Sequence, residues 1–183
     1  MRVIAGKYKS RQLKTVKSSL TRPTTDRNKE NLFNIIGPYF EGGNVLDVFG
    51  GSGGLGIEAL SRGCDYLYTN DNQYEAFKVI QENIKALQIE NVSISKMDYR
   101  KLLQKLATQQ VSFDLVLLDP PYGKHLVDGI LEYLIINSML HDQCLLVVEE
   151  LKEVEIKEYK QLQCIKEVVY GITTLHVYRY NEG

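Results

Sequence analysis

Two short runs in this sequence carry groups able to do chemistry. The first is Gly50-Gly51-Ser52-Gly53, which follows the apolar run Asn44-Val45-Leu46-Asp47-Val48-Phe49 and precedes Gly54-Leu55-Gly56. The second is Asp119-Pro120-Pro121-Tyr122, at the end of another apolar run. A glycine turn after a buried strand lets backbone pass close to a nucleotide-like ligand. The acid–proline corner suits an exocyclic amine on a nucleobase, a poor nucleophile because its lone pair is delocalised into the ring. The Asp119 carboxylate and the Pro120 carbonyl can each accept one amine hydrogen, which draws the nitrogen towards tetrahedral geometry and frees the lone pair. Pro120 and Pro121 fix the backbone and offer no competing N–H, and Tyr122 can stack on the base. Together the runs point to S-adenosylmethionine (SAM) held over one strand end, with a base amine presented to its methyl. Proximity and orientation then do most of the work, and no metal is required.

The glycine run is ambiguous alone. Gly51, Gly53 and Gly56 satisfy G-x-G-x-x-G, and Asp71 follows Gly51 by 20 residues, as in a dinucleotide site. Asp47 argues the other way: a carboxylate just before the turn adds negative charge where a pyrophosphate would lie, whereas SAM carries a sulfonium and an amino group. On the SAM reading, backbone N–H groups of Gly50, Gly51, Ser52 and Gly53 meet the methionine end and Phe49 walls the pocket. Asp71 accepts both ribose hydroxyls. Asp98 accepts from the adenine amine, with Tyr99 beside it. Each acid has a plainer reading: Asp71 as a cap for a helix near Gln73, Asp98 as a cap for the helix after it.

These residues need a frame, and the chain predicts one. Strands are expected over 45–49, 66–70, 92–95, 113–118 and 144–148, with helices over 55–62, 73–87, 102–106 and 127–136. A hairpin of 164–170 and 174–180 turns at Gly171. The helix after Thr25 or Asp26 carries Leu32, Phe33, Ile35 and Ile36 and stops at Gly37-Pro38. Repeated βα units ending in a hairpin give an α/β fold, a mostly parallel sheet with helices on both faces, whose ligands sit beyond the carboxyl ends of the strands. All the candidate residues fall at strand ends.

A length of 183 residues fits one domain. The expected division is a basic N-terminal hairpin or arm over 1–24, in which 2–4 and 12–14 pair, and a catalytic core over 25–183. The net charge of −1 hides an asymmetry. Residues 1–29 hold nine basic residues against one acid, a net of +8, which leaves 13 basic and 22 acidic residues, a net of −9, in the rest. A basic arm on an acidic body points to a localised contact with nucleic acid. No run of about 18 apolar residues and no signal-type h-region is present, so a cytoplasmic protein with no membrane contact is expected. Cys64, Cys144 and Cys164 form no C-x-x-C pair and read as packing residues. His125 reads as a solvent-facing helix position and Glu149-Glu150 as surface; His141 and His176 have no partner pattern.

At this point the chain resembles a known family. The residues that carry the likeness are the opening Met1-Arg2-Val3-Ile4-Ala5-Gly6-Lys7-Tyr8-Lys9-Ser10-Arg11, the run Arg22-Pro23-Thr24-Thr25-Asp26-Arg27, the stretch from Leu46 to Gly53, Glu58-Ala59-Leu60-Ser61-Arg62-Gly63, and Asp119-Pro120-Pro121-Tyr122. They resemble the RsmD family, bacterial enzymes that methylate guanine N2 in 16S ribosomal RNA. The resemblance implies a three-layer, Rossmann-like class I SAM-dependent methyltransferase with a seven-stranded sheet, a C-terminal antiparallel hairpin and a small N-terminal β-hairpin. It implies SAM binding by the loop from Asp47 to Gly53 and by Asp71, with Pro23, Thr24 and Thr25 over the methionine end and the flipped guanine at Asp119-Pro120-Pro121-Tyr122. The implied partner is 16S rRNA in the small ribosomal subunit or its assembly intermediate, and a monomer is expected. Gly50 and Gly54 stand where the family more often has alanine. DNA adenine-N6 methyltransferases share the loop and the corner, so that substrate stays open here, as do a nucleotide-dependent oxidoreductase and a non-catalytic RNA-binding assembly factor.

Overall fold

The computed structural model describes residues 1–17 and 25–183. In chain order the elements are α1 (Asp26–Ile36), β1 (Asn44–Asp47), α2 (Gly54–Ser61), β2 (Tyr66–Asn70), α3 (Tyr74–Ala86), β3 (Val92–Ser95), α4 (Tyr99–Thr108), β4 (Phe113–Leu118), α5 (Val127–Ile136), β5 (Leu140–Leu151), β6 (Leu162–Tyr170) and β7 (Thr173–Tyr180). They build one seven-stranded sheet in the order β3-β2-β1-β4-β5-β7-β6. The first five strands of that order are parallel, and β7 runs antiparallel between β5 and β6. The order reverses between β1 and β4, which opens a crevice beyond their carboxyl ends.

The strands alternate two buried faces. Val45, Leu115 and Leu117 pack with Phe33 of α1, Ile57 of α2 and Ile80 of α3. Leu46, Val116 and Leu118 pack with Leu102 and Leu106 of α4 and Ile130 and Leu134 of α5. This period of two, with helices on both sides, explains why β4 reads as an unbroken apolar run.

Two strands differ from expectation where the site lies. β1 ends at Asp47 rather than at residue 49, because Gly50 donates its N–H to Asn70 O at 2.7 Å and the chain has already turned. β5 runs from Leu140 to Leu151, well past 144–148, because β7 pairs with it as far as Leu151↔Thr173. Glu149 and Glu150 are therefore strand residues.

The N-terminal segment is a turn-rich flap, and its only strand pairing among the described residues is the bridge Arg2↔Gln12. It is bolted to α2 by Glu58, which is fully buried. Glu58 accepts N–H groups from Ile4 at 2.9 Å and Ala5 at 3.1 Å, and Arg62 Nε at 2.8 Å. Lys29 Nζ lies 3.2 Å from the same carboxylate and donates to Arg2 O. Gly6 is obligatory here: at φ +84° a Cβ would sit 1.7 Å from Ser61 O. Not all of the basic arm faces solvent, since Lys29 is fully buried and its burial lowers its pKa. Arg2 is paired with Asp26 and Lys14 with Glu82.

Candidate active site

The glycine loop is shaped by its own hydrogen bonds and by two asparagines. Gly53 donates to Gly50 O at 2.8 Å and adopts φ +80° at the start of α2. Gly51, at φ +57°, has nothing within 4 Å of where a Cβ would be, so the loop presents bare backbone to open space. Asn70, 2% exposed, donates to Val48 O at 3.2 Å and Met97 O at 3.0 Å and accepts the Met97 N–H at 3.1 Å. One amide thus fixes the segments after β1 and β3 to the end of β2. Asn83 of α3 donates to Ser52 O at 2.9 Å and exchanges hydrogen bonds with the Lys14 backbone at 2.8 and 3.0 Å. Ser52 Oγ accepts the Val16 N–H at 3.2 Å. Neither asparagine stands out in the sequence. The available signals are the strand-end position of Asn70 and the place of Asn83 between Ile80 and Ile84 on the apolar face of α3.

The acids around the loop differ sharply in environment. Asp47 is 3% exposed, and burial together with the charge of Asp71 pushes its carboxyl up to about 7, against the N–H of Gly56 that favours its ionised form. Asp71 accepts the Gly51 N–H at 3.0 Å and the Gln73 N–H at 2.9 Å, one on each oxygen. Both readings of it therefore have structural content: it steadies the start of α3, and it retains lone pairs for further donors. Burial raises its pKa while the two N–H groups oppose the rise. Asp98 caps α4 by accepting the Arg100 N–H at 2.9 Å and binds the Arg100 side chain at 3.0 and 3.1 Å. These bonds hold its carboxyl below the usual range. Tyr99 and Phe49 form a half-buried aromatic wall with ring centroids 5.9 Å apart. Thr25 caps α1, its hydroxyl accepting the Asn28 N–H at 3.1 Å. Arg22, Pro23 and Thr24 lie outside the described residues.

The acid–proline corner follows β4 directly. Pro120 is buried, Asp119 half-buried, and Pro121 and Tyr122 exposed. Asp119 is pushed up to about 8, first by burial and then by the negative charges of Glu149, Asp47 and Glu150. The Tyr122 hydroxyl donates to Glu149 Oε1 at 3.3 Å. Glu150 is 1% exposed and accepts the Leu151 N–H at 2.8 Å. The expected surface role of this pair is therefore corrected: the extension of β5 leaves Glu149 half-buried and Glu150 buried, and the charges of both act on Asp119. Because β1 and β4 are neighbours in register, Asp47↔Leu117, the glycine loop and the corner open onto the same crevice.

Residues away from the crevice fall into place as follows. His125 sits in the loop before α5 at φ +51° and is exposed, not in a helix. His141 lies 3.0 Å from Asp114. His176 lies 3.0 Å from Glu167 on the β6–β7 hairpin, where a bulge after Cys164 brings that thiol close to both. Cys64 and Cys144 pack as expected, but Cys164 is exposed. Among the described residues no helix is long and apolar enough to cross a membrane.

A sheet in this order, with bare glycine backbone after β1 and an acid–Pro–Pro–Tyr corner after β4, defines a class I methyltransferase. The family profile described as "Conserved hypothetical protein 95" matches residues 1–179. The chain is 39% identical over 181 residues to the "Putative rRNA methyltransferase YlbH" of Bacillus subtilis, covering 98% of each. It is 33% identical to the "Ribosomal RNA small subunit methyltransferase D" of Haemophilus influenzae, covering 98% of this chain and 93% of that one. The "Putative methyltransferase yhhF from Escherichia coli" superposes with a TM-score of 0.87 at 27% identity, over 100% of this chain and 99% of that one. The chain belongs to the RsmD family. Relatives named as methyltransferases count against the oxidoreductase alternative.

Proposed function

We propose that this enzyme transfers a methyl group from SAM to the exocyclic N2 amine of a guanine in 16S rRNA, within the small ribosomal subunit or an intermediate of its assembly in the cytoplasm. The observation that carries the reading is Asp119-Pro120 standing at the end of β4 beside the glycine loop of β1. The relatives named as ribosomal RNA small subunit methyltransferases support the substrate class.

The residues present fit SAM. Asp47, Asp71, Asp119 and Glu149 surround the crevice with carboxylates, a field that favours a sulfonium and an ammonium over a pyrophosphate. The bare face of Gly51 gives backbone room to approach. The remaining lone pairs of Asp71 suit two ribose hydroxyls, and the Phe49–Tyr99 wall suits the adenine. Asp98, bound to Arg100, keeps lone pairs for an adenine amine only at the edge away from that pair. Thr25, with its hydroxyl committed to the α1 cap, contributes through position.

SAM supplies an electrophilic methyl group. The chain supplies geometry: Asp119 and the Pro120 carbonyl accept the amine hydrogens, Tyr122 holds the base by stacking, and the basic flap neutralises phosphates. Asp119 is the acceptor for the proton that the amine must lose. Contacts of the flap with RNA weaken with salt, by a log–log slope of roughly 0.7–0.9 per phosphate neutralised.

The test is methyl transfer from radiolabelled SAM to unmethylated 30S subunits, free 16S RNA and unmethylated DNA, with nucleoside analysis of the product. N2-methylguanosine from the 30S sample is expected. N6-methyladenine from DNA would overturn the substrate assignment.

A further inference from the structure

Glu149 is a half-buried acid beside the corner that the amine chemistry above does not use. It stands one residue beyond the last β4–β5 pair, Leu118↔Val148, as Asp119 does on the other strand, so the two are successive in register. Its Oε1 accepts the Tyr122 hydroxyl at 3.3 Å and the Thr173 hydroxyl at 3.1 Å. The Tyr170 carbonyl, at 3.2 Å, competes for the same hydroxyl proton, and the strand pairing Tyr170↔Thr173 anchors Thr173 at the β6–β7 turn. The chain of contacts runs from that hairpin, through Glu149, to the aromatic of the corner. Tyr122 is 41% exposed, and Glu149 meets it at its hydroxyl. A tether at the hydroxyl fixes it without covering the face on which a base would stack.

We propose that Glu149 is a positioning residue: it holds the Tyr122 ring ready for the base, is itself held by Thr173, and presents its charge to Asp119. The proposal rests on the methyl-transfer reading given above. The charges acting on Asp119 are all negative, from Glu149 and Glu150 of β5 and Asp47 of β1. Removing the charge at 149 therefore makes Asp119 ionise at lower pH.

Two measurements test this. In the protein alone, the ring resonances of Tyr122, assigned by their loss in Tyr122→Phe, are expected to shift in Glu149→Gln and in Thr173→Val. Resonances unmoved in both variants overturn the proposal whatever the substrate proves to be. In methyl transfer to 30S subunits, with SAM affinity and Tm measured alongside, Glu149→Gln is expected to raise KM about tenfold. It should also move the acid limb of kcat/KM to lower pH. Tyr122→Phe should raise KM without moving that limb, and adding Glu149→Gln to it should raise KM little further. A wild-type limb in Glu149→Gln, or KM effects that multiply, would overturn the proposal. If Glu149→Gln does not fold, Thr173→Val with Tyr122→Phe carries the same non-additivity test. A wild-type enzyme silent on 30S subunits would sink the substrate reading, while the ring resonances still decide this one.

Discussion

The backbone N–H of Gly51 donates to Asp71 at 3.0 Å and so closes the glycine loop onto the end of β2. The acid that would hold the ribose is also the acid that shapes the loop. Asp71→Asn keeps a carbonyl oxygen for that N–H but loses the charge. SAM affinity is expected to fall about tenfold or more, with little change in Tm. Calorimetric titration of SAM into the variant checks this.

SAM binding should release protons. Asp47 and Asp119 sit at about 7 and about 8 in the free enzyme because burial, and then the charge of Asp71 on the one and of Glu149, Asp47 and Glu150 on the other, disfavour their charged forms. A bound cation favours the charged forms, so both pKa values fall on binding. Affinity therefore rises with pH below about 7, where both groups are largely protonated in the free enzyme, and flattens above about 8. Titrations in buffers of different ionisation enthalpy would measure the protons released, and a pH-independent affinity would contradict the assignment.

The same shifts predict stability. Folded-state values raised above the unfolded range mean that the native state holds more protons between roughly pH 4 and the folded values. Stability is therefore lost as pH rises through that window. Asp119→Asn removes the ionisation and is expected to raise Tm at pH 8 by at least a few degrees, while abolishing methyl transfer. Thermal melts at pH 5 and pH 8 should show the gain at the higher pH only.

Two glycines of the loop, Gly50 and Gly54, should differ in tolerance of a side chain. A Cβ at Gly54 would meet Met1 Sδ at 2.3 Å, the end of a flexible side chain that can swing away. A Cβ at Gly50 would meet Thr69 Oγ1 at 2.6 Å and Ile80 Cδ1 at 2.9 Å, both on stiff β-branched residues. Gly50→Ala is expected to cost about 1–3 kcal/mol and Gly54→Ala less. Thr69→Ala should recover part of the loss, since Thr69 Oγ1 is buried and has no hydrogen-bond partner among the described residues.

Glu58→Gln should unseat the flap. Removing one partner of a buried ion pair costs about 3–5 kcal/mol, or roughly 6–20 °C in Tm for a chain of this size. Hydrogen exchange at the Ile4 and Ala5 amides is expected to accelerate more than exchange in β4.

Much of this arrangement was legible in the sequence. β2, β3, β4 and α5 have the bounds expected, because β4 is nearly all apolar, β2 and β3 are short segments rich in aromatic or β-branched residues, and α5 has apolar residues at helical spacing. β5 was read short because Glu149 and Glu150 look like the polar end of a strand. Only the long-range pairing with β7 shows that they lie inside one. Asn70 and Asn83 were missed for a similar reason, since a buried amide and a surface amide have the same letter. In the sequence the Glu58-Ala59-Leu60-Ser61-Arg62-Gly63 motif carries the family likeness but no visible physical role. The structure supplies one: Glu58, Ser61 and Arg62 are the socket for the flap and its supports.

That socket has a kinetic side. Ile4 waits for Glu58, 54 residues further on, and the central strand β1 pairs with β4 about as far away, Asn44 bonding Asp114 across 70 residues. Contacts of such separation must close long loops before they repay the entropy. The flap's docking site is complete only once the chain has reached Arg62 of α2. A nascent chain carries those basic residues undocked until α2 has formed.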